Sequence, residues 1–132
     1  MMTEKYLIDA HAWISYLEGN KQGEKVYKIL QENEDIFVIP ITIAEVISKV
    51  KKKKGNTEIA YNSIITNAKI VEITPKIAKE AGLFHVQIRE KISNFGIVDS
   101  LLLMTARAIG AKIITGDNHF KEFKDAIVLD PM

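Results

Sequence analysis

The chain has 132 residues, a length that suits one domain over residues 1–132 with one buried core. It has no cysteine, which excludes disulfides, thiol nucleophiles and zinc–thiolate sites and fits a reducing, cytoplasmic setting. A net charge of +1 excludes a global basic field, so any contact with nucleic acid must use a local patch. No apolar run approaches the roughly 20 residues of a membrane helix, and "MMTEKYLIDA" lacks the apolar segment and cleavage site of a signal peptide.

The predicted elements alternate. "KYLID" (Lys5 to Asp9) is a short apolar run ending in a polar residue and reads as a strand. "AHAWISYLEG" has apolar residues at helical spacing and stops at Gly19, and "GEKVYKILQEN" is an amphipathic helix. "IFVIP" (Ile36 to Pro40) reads as a buried strand, followed by a helix over "TIAEVISKVKKKKG" and a second, paired helix over "NTEIAYNSIITNA". "KIVEI" (Lys69 to Ile73) is a strand, and "PKIAKEAGLFHVQIREKI" is a long helix with Pro75 in its first turn. "IVDSLLLMTARAIG" is apolar on almost every side and predicts a buried helix. "AKIIT" (Ala111 to Thr115) and "AIVLD" (Ala126 to Asp130) are strands. Short apolar strands alternating with helices predict a three-layer α/β/α sandwich with a mostly parallel sheet of about five strands.

In such sheets function collects at the carboxyl ends of the strands. Asp9 ends the first strand, Glu45 lies early in the helix after the second, and Asp117 lies two residues past the fourth. Asp99 opens the buried helix, which must run antiparallel to the strand it precedes, so its start falls at the same edge. Each acid also has a structural use. Asp9 suits a helix N-cap, Thr42 and Glu45 form a T-x-x-E capping box, Asp99 suits the positive end of a helix dipole, and Asp117 suits a turn after Gly116. Four carboxylates at one edge repel one another and raise one another's pKa. A divalent cation removes that penalty, and oxygen ligands favour Mg²⁺ or Mn²⁺ over zinc.

"YLIDAHAWISYL", "PITIAEV" and "IVDSLLLMTARAIGAKIITGDNHF" resemble the acidic motifs of PIN-domain nucleases, especially VapC-type toxins of toxin–antitoxin pairs. The resemblance covers essentially the whole chain. It implies a PIN-like fold and a metal-dependent endoribonuclease that hydrolyses RNA, works as a homodimer and is blocked by a cognate antitoxin. It implies a pocket of Asp9, Glu45, Asp99 and Asp117, with Asp9 and Asp99 as direct metal ligands and the other two binding a second ion or ligand waters. Thr115 and Asn118 would support the pocket through their side chains. A hydroxyl residue is frequent just after the first acid in that family, whereas Ala10 and His11 stand here, so His11 replaces that polar contact or meets substrate. An RNA-processing nuclease outside any toxin–antitoxin pair, and a non-catalytic scaffold that binds RNA or a partner, remain as alternatives.

"KVKKKKG" holds the dense basic run, Lys49 and Lys51, Lys52, Lys53 and Lys54. It is either a solvated helix end, where cations suit the dipole, or a contact for the RNA backbone. His11, His85 and His119 have no zinc-like spacing and are read as non-ligands. Trp13, Tyr16 and Leu17 suit a core or an interface, and "IAKEAGLFHVQI" suits a dimer surface. Two other small α/β folds with acids are poorly matched. A phosphoacceptor receiver needs adjacent acids after the first strand, an Asp ending the third and a Lys ending the fifth. "LIDAH", "VEITP" and "VLDPM" supply none of these. A haloacid-dehalogenase-like phosphatase needs D-x-D where Asp9-Ala10-His11 stands.

Overall fold

The structure, a computed structural model, describes residues 4–130. Positions 1–3 and 131–132 lie outside the described residues. They carry both ends of the expected 1–132 domain, the start of "MMTEKYLIDA" and the end of "VLDPM".

Five short strands form one sheet: β1 (Tyr6–Ile8), β2 (Ile36–Val38), β3 (Lys69–Ile70), β4 (Lys112–Thr115) and β5 (Ala126–Val128). Its order is β3-β2-β1-β4-β5, and every strand pairing is parallel. Six helices connect and cover it: α1 (Ala10–Glu18), α2 (Lys21–Glu32), α3 (Pro40–Lys52), α4 (Thr57–Asn67), α5 (Pro75–Ile88) and α6 (Ile97–Ile109). Neighbouring strand residues serve opposite faces, as the two-residue period of a strand requires. Ile8 and Ile114 join a core with Trp13, Val26, Val46 and Ile64 from α1 to α4. Leu7 and Ile113 join a second core with Phe95, Leu102, Leu103 and Phe120, against which α5 packs Phe84 and Ile88. The central strands β1, β2 and β4 are largely buried on both faces, hence their apolar runs, whereas the edge strand β3 is exposed.

Close approach of α1 and α2 requires Gly23, where a Cβ would overlap the backbone carbonyl of Ser15. Several sequence-derived boundaries move. The second strand stops at Val38, and Pro40 opens α3 instead of closing the strand, because proline's fixed φ and missing N–H suit a first helical position. The helix therefore starts before Thr42, and Thr42–Glu45 is not a capping box. Thr42 is fully buried, and the N-cap Ile39 makes no side-chain cap. The "KIVEI" strand shortens to Lys69–Ile70, and the long helix ends at Ile88.

The chain lays β2 and β3 on one side of β1, then crosses to lay β4 and β5 on the other. That reversal opens a crevice outside the carboxyl ends of β1 and β4, the place where open α/β sheets bind ligands.

Candidate metal centre

Asp9 is the single residue between β1 and α1, and the sheet and the helix both hold it. Its N–H donates to the Ile114 carbonyl at 3.1 Å, and its Oδ1 accepts from the Ala12 N–H at 2.9 Å. The N-cap reading of Asp9 is thus correct. Burial pushes the Asp9 pKa from 3.8 up to about 6. Hydrogen bonds from the Thr115 hydroxyl and the Ala12 N–H, and the nearby His11, oppose that rise, while Asp117 adds to it.

Thr115 ends β4, is fully buried and joins two acids. Its Oγ1 accepts from the Asp117 N–H at 2.9 Å, and its hydroxyl hydrogen-bonds Asp9. Asp117 then caps a 3-10 turn, Asn118–Phe120, by accepting from the His119 N–H at 2.9 Å. Phe120, fully buried among Phe95 and Phe123, anchors that turn from beneath. Asp99 is the third residue of α6, and its Oδ2 accepts from the Gly96 N–H at 2.8 Å. This is the acidic half of a capping box; the glycine cap has no side chain to supply the other half.

His119, left out of the sequence-derived pocket, enters it here. Its Nδ1 stands 3.2 Å from Asp117 Oδ1 and 3.5 Å from Asp99 Oδ2. One ligand atom from each of Asp99, Asp117 and His119 lies within 4.8 Å of the others. Asp9 adjoins this group through Thr115 and feels the charge of Asp117. Glu45 is exposed in the second turn of α3. Its pKa is raised first by partial burial and then by the charge of Asp99, with Lys49 opposing. The four acids therefore form a chain across the crevice, Asp9 to Asp117 to Asp99 to Glu45, with the compact group in the middle.

A divalent cation fits this group. His119 Nδ1 is buried and has no hydrogen-bond partner, although two carboxylate oxygens stand close by. Leaving such an atom unsatisfied costs about 1–3 kcal/mol. A cation held in common by two carboxylates and an imidazole nitrogen removes that cost and the repulsion between the acids, as would a proton on His119. Carboxylates suit hard divalent cations, and the imidazole adds one nitrogen donor to the set.

The other expected pocket residues are distributed around the centre. Asn118 is exposed at the start of the 3-10 turn. The His11 ring lies against Gly116, where a Cβ would overlap it, so the glycine in "TGDNHF" makes room for His11. His11 Nε2 is 2.9 Å from Gln22 Oε1, and Gln22 Nε2 donates to the Asp130 carbonyl at 2.7 Å. Gln22 carried no signal in the sequence, because its role depends on α1 folding back against α2. Trp13 lies in the core, whereas Leu83 and Val86 on α5 are 62% and 69% exposed.

Residues 6–126 match the PIN domain family, and the chain belongs to it. The search of curated proteins gave no match. Among solved structures, a toxin–antitoxin complex from Klebsiella pneumoniae superposes with a TM-score of 0.76 at 19% identity, covering 97% of this chain and 100% of that one. VapC20 of Mycobacterium tuberculosis, described as a sarcin-ricin loop cleaving toxin, gives 0.69 at 13% identity over 96% and 90%. VapBC2 from Rickettsia felis, bound to a promoter DNA fragment, gives 0.73 at 18% identity over 95% and 98%. At these identities the likeness is one of fold. No helix among the described residues is long and apolar enough to cross a membrane.

Proposed function

We propose that this protein is a Mg²⁺- or Mn²⁺-dependent endoribonuclease of the VapC toxin type, carried by one domain over residues 1–132 and acting in the cytoplasm. The observation that carries the proposal is the group of Asp99, Asp117 and His119, with the buried Asp9 beside it, at the switch point of a PIN-family sheet. When bound, a divalent cation there supplies Lewis-acid polarisation of the phosphate and activation of the attacking water.

Asp99 and Asp117 would hold the cation through carboxylate oxygens and His119 through Nδ1. Asp9 and Glu45 would hold its waters or a second ion from the two ends of the acid chain. Thr115 fixes the separation of Asp9 and Asp117 by bonding to both. Asp9, buried between β1 and α1 with its carboxylate fixed by the Ala12 N–H, is placed to orient a water of the cation. The crevice is open and must reach a backbone phosphate, which favours single-stranded RNA over a stiff duplex. RNA is also the substrate class implied by the sarcin-ricin loop description of VapC20.

An antitoxin partner belongs to the proposal, because similar folds include toxin–antitoxin and VapBC complexes. An apolar groove of about 270 Å³ between α1, α3 and α4, lined by Ile14, Leu17, Val50 and Ile59, offers it a surface. Exposed Leu83 and Val86 on α5 offer a face for a homodimer. Sedimentation that finds only monomer at tens of micromolar, an order-of-magnitude range for modest interfaces, would remove the dimer from the proposal. Cleavage of single-stranded RNA with Mg²⁺ or Mn²⁺, abolished by EDTA, tests the activity; cleavage undiminished in excess chelator would overturn it.

A further inference from the structure

The basic run divides into two faces. Lys49, Lys52 and Lys53 line a cavity of about 510 Å³ together with His11, Asn20, Gln22 and one acid, Glu18, whose charge is paired with Lys53. Lys51 and Lys54 do not line it. Helical spacing explains the division. Glu45, Lys49 and Lys52/Lys53 fall at i, i+4 and i+7/i+8 of α3 and form one stripe. By the rise per residue, Lys49 stands about 6 Å and Lys53 about 12 Å along the axis from Glu45. The stripe therefore starts at the acid chain and leads away from it. Its first charge, Lys49, is close enough to Glu45 to oppose the rise in that residue's pKa.

We propose that this cavity is a subsite for a nucleotide flanking the cleaved bond, with Lys49 and Lys52 holding its phosphate. The inference rests on the ribonuclease assignment above. Three features favour a nucleic-acid strand. The cavity is large enough for one unpaired nucleotide, within the usual range of about 300–1,000 Å³ for small-molecule sites. It shares His11 with the candidate centre: the ring packs on Gly116 of the turn that carries Asp117, and Nε2 meets Gln22 inside the cavity wall. Its cations lie where an anionic strand, repelled by the carboxylates, needs a positive contact. Lys53 contributes least, because it is paired with Glu18 at 3.0 Å. The Asn20 side-chain oxygen is used by the Gly23 N–H, so Asn20 presents its amide NH₂ as a donor to base or sugar.

The test compares two double variants with the same loss of charge: Lys49→Gln with Lys52→Gln, and Lys51→Gln with Lys54→Gln. Binding of a labelled single-stranded oligoribonucleotide is measured in EDTA at several salt concentrations, so that cleavage does not enter. The first pair should weaken binding about tenfold and flatten the salt slope by about 1.4, which corresponds to two lost phosphate contacts on a single strand. The second pair should match the parent. Equal effects from both pairs, or none from the first, would overturn the subsite and leave the nuclease assignment standing. A parent protein that binds no RNA either in EDTA or with Ca²⁺ under conditions without cleavage would overturn both. An oligoglutamate peptide that binds through Lys49 and Lys52 while RNA does not would assign the cavity to an acidic protein segment and also overturn the proposal.

Discussion

The acid chain and the lysine stripe lie on neighbouring parts of the molecule and are built in opposite ways. Asp9, Asp99 and Asp117 each accept a backbone N–H hydrogen bond at 2.8–2.9 Å, so each carboxylate has a fixed direction. Lys49 and Lys52 are exposed on the last turns of a helix and swing on long stems. A centre that must hold an ion needs fixed ligands, because misplacement of an ångström costs affinity and rate. A strand-holding surface needs only charge within reach, since phosphate contacts are electrostatic and tolerant of geometry. Changes at the acids should therefore act on chemistry, and changes at the lysines on binding.

The largest effect should come from Asp99→Asn. Asparagine can still accept the Gly96 N–H, so the start of α6 survives while the negative charge does not. Cleavage should fall by at least about 100-fold, roughly 2.7 kcal/mol of transition-state stabilisation, with the melting temperature in EDTA unchanged or slightly higher. An active Asp99→Asn protein would remove Asp99 from the centre.

Gly116→Ala should be next. The added methyl overlaps the His11 ring, which must leave its place and its contact with Gln22. Overpacking of this kind costs about 1–3 kcal/mol, measurable by denaturant unfolding. Adding His11→Ala removes the obstacle and should restore most of the stability. If the double variant is as unstable as the single one, the His11–Gly116 contact is not the cause.

Asp9→Asn tests the electrostatics of the centre without metal. The folded-state pKa of Asp9, about 6, lies above its ordinary 3.8, so the folded protein binds this proton more tightly than the unfolded chain. Stability from this group is full below about pH 4 and is lost as the pH rises through 6. The variant escapes that loss, and asparagine can still cap α1. In EDTA it should be more stable than the parent above pH 6, by up to about 3 kcal/mol at 1.36 kcal/mol per unit, with the gain vanishing near pH 4. A gain independent of pH would point to packing instead.

The smallest effect belongs to the stripe. Glu18→Gln frees Lys53 from an exposed ion pair, so stability should shift by less than about 0.5 kcal/mol. RNA binding in EDTA should tighten about two- to threefold, a fraction of a full phosphate contact. An unchanged affinity would mean that Lys53 does not face the strand.

The sequence by itself determined the layered parallel fold and the edge on which the acids lie. Two-faced burial leaves uninterrupted runs such as "IFV" and "KIIT", and helices between short strands force parallel connections. With the strands located, Asp9 and Asp117 fall at carboxyl ends by counting along the chain. Local chemistry was less legible. Pro40 looked like a strand end and proved to be a helix start, since a proline before an apolar run serves both. Tertiary structure alone decided which groups meet. His119 reaches Asp99 because a 3-10 turn, pinned by buried Phe120, carries it across from β4 to the start of α6. Gln22 reaches His11 because Gly23 lets α2 pack tightly on α1, and Lys49 separates from Lys51 only when the run is wound into a helix beside a cavity. Period and polarity are properties of neighbouring residues, whereas a site is made of distances between residues far apart in the chain, which packing fixes.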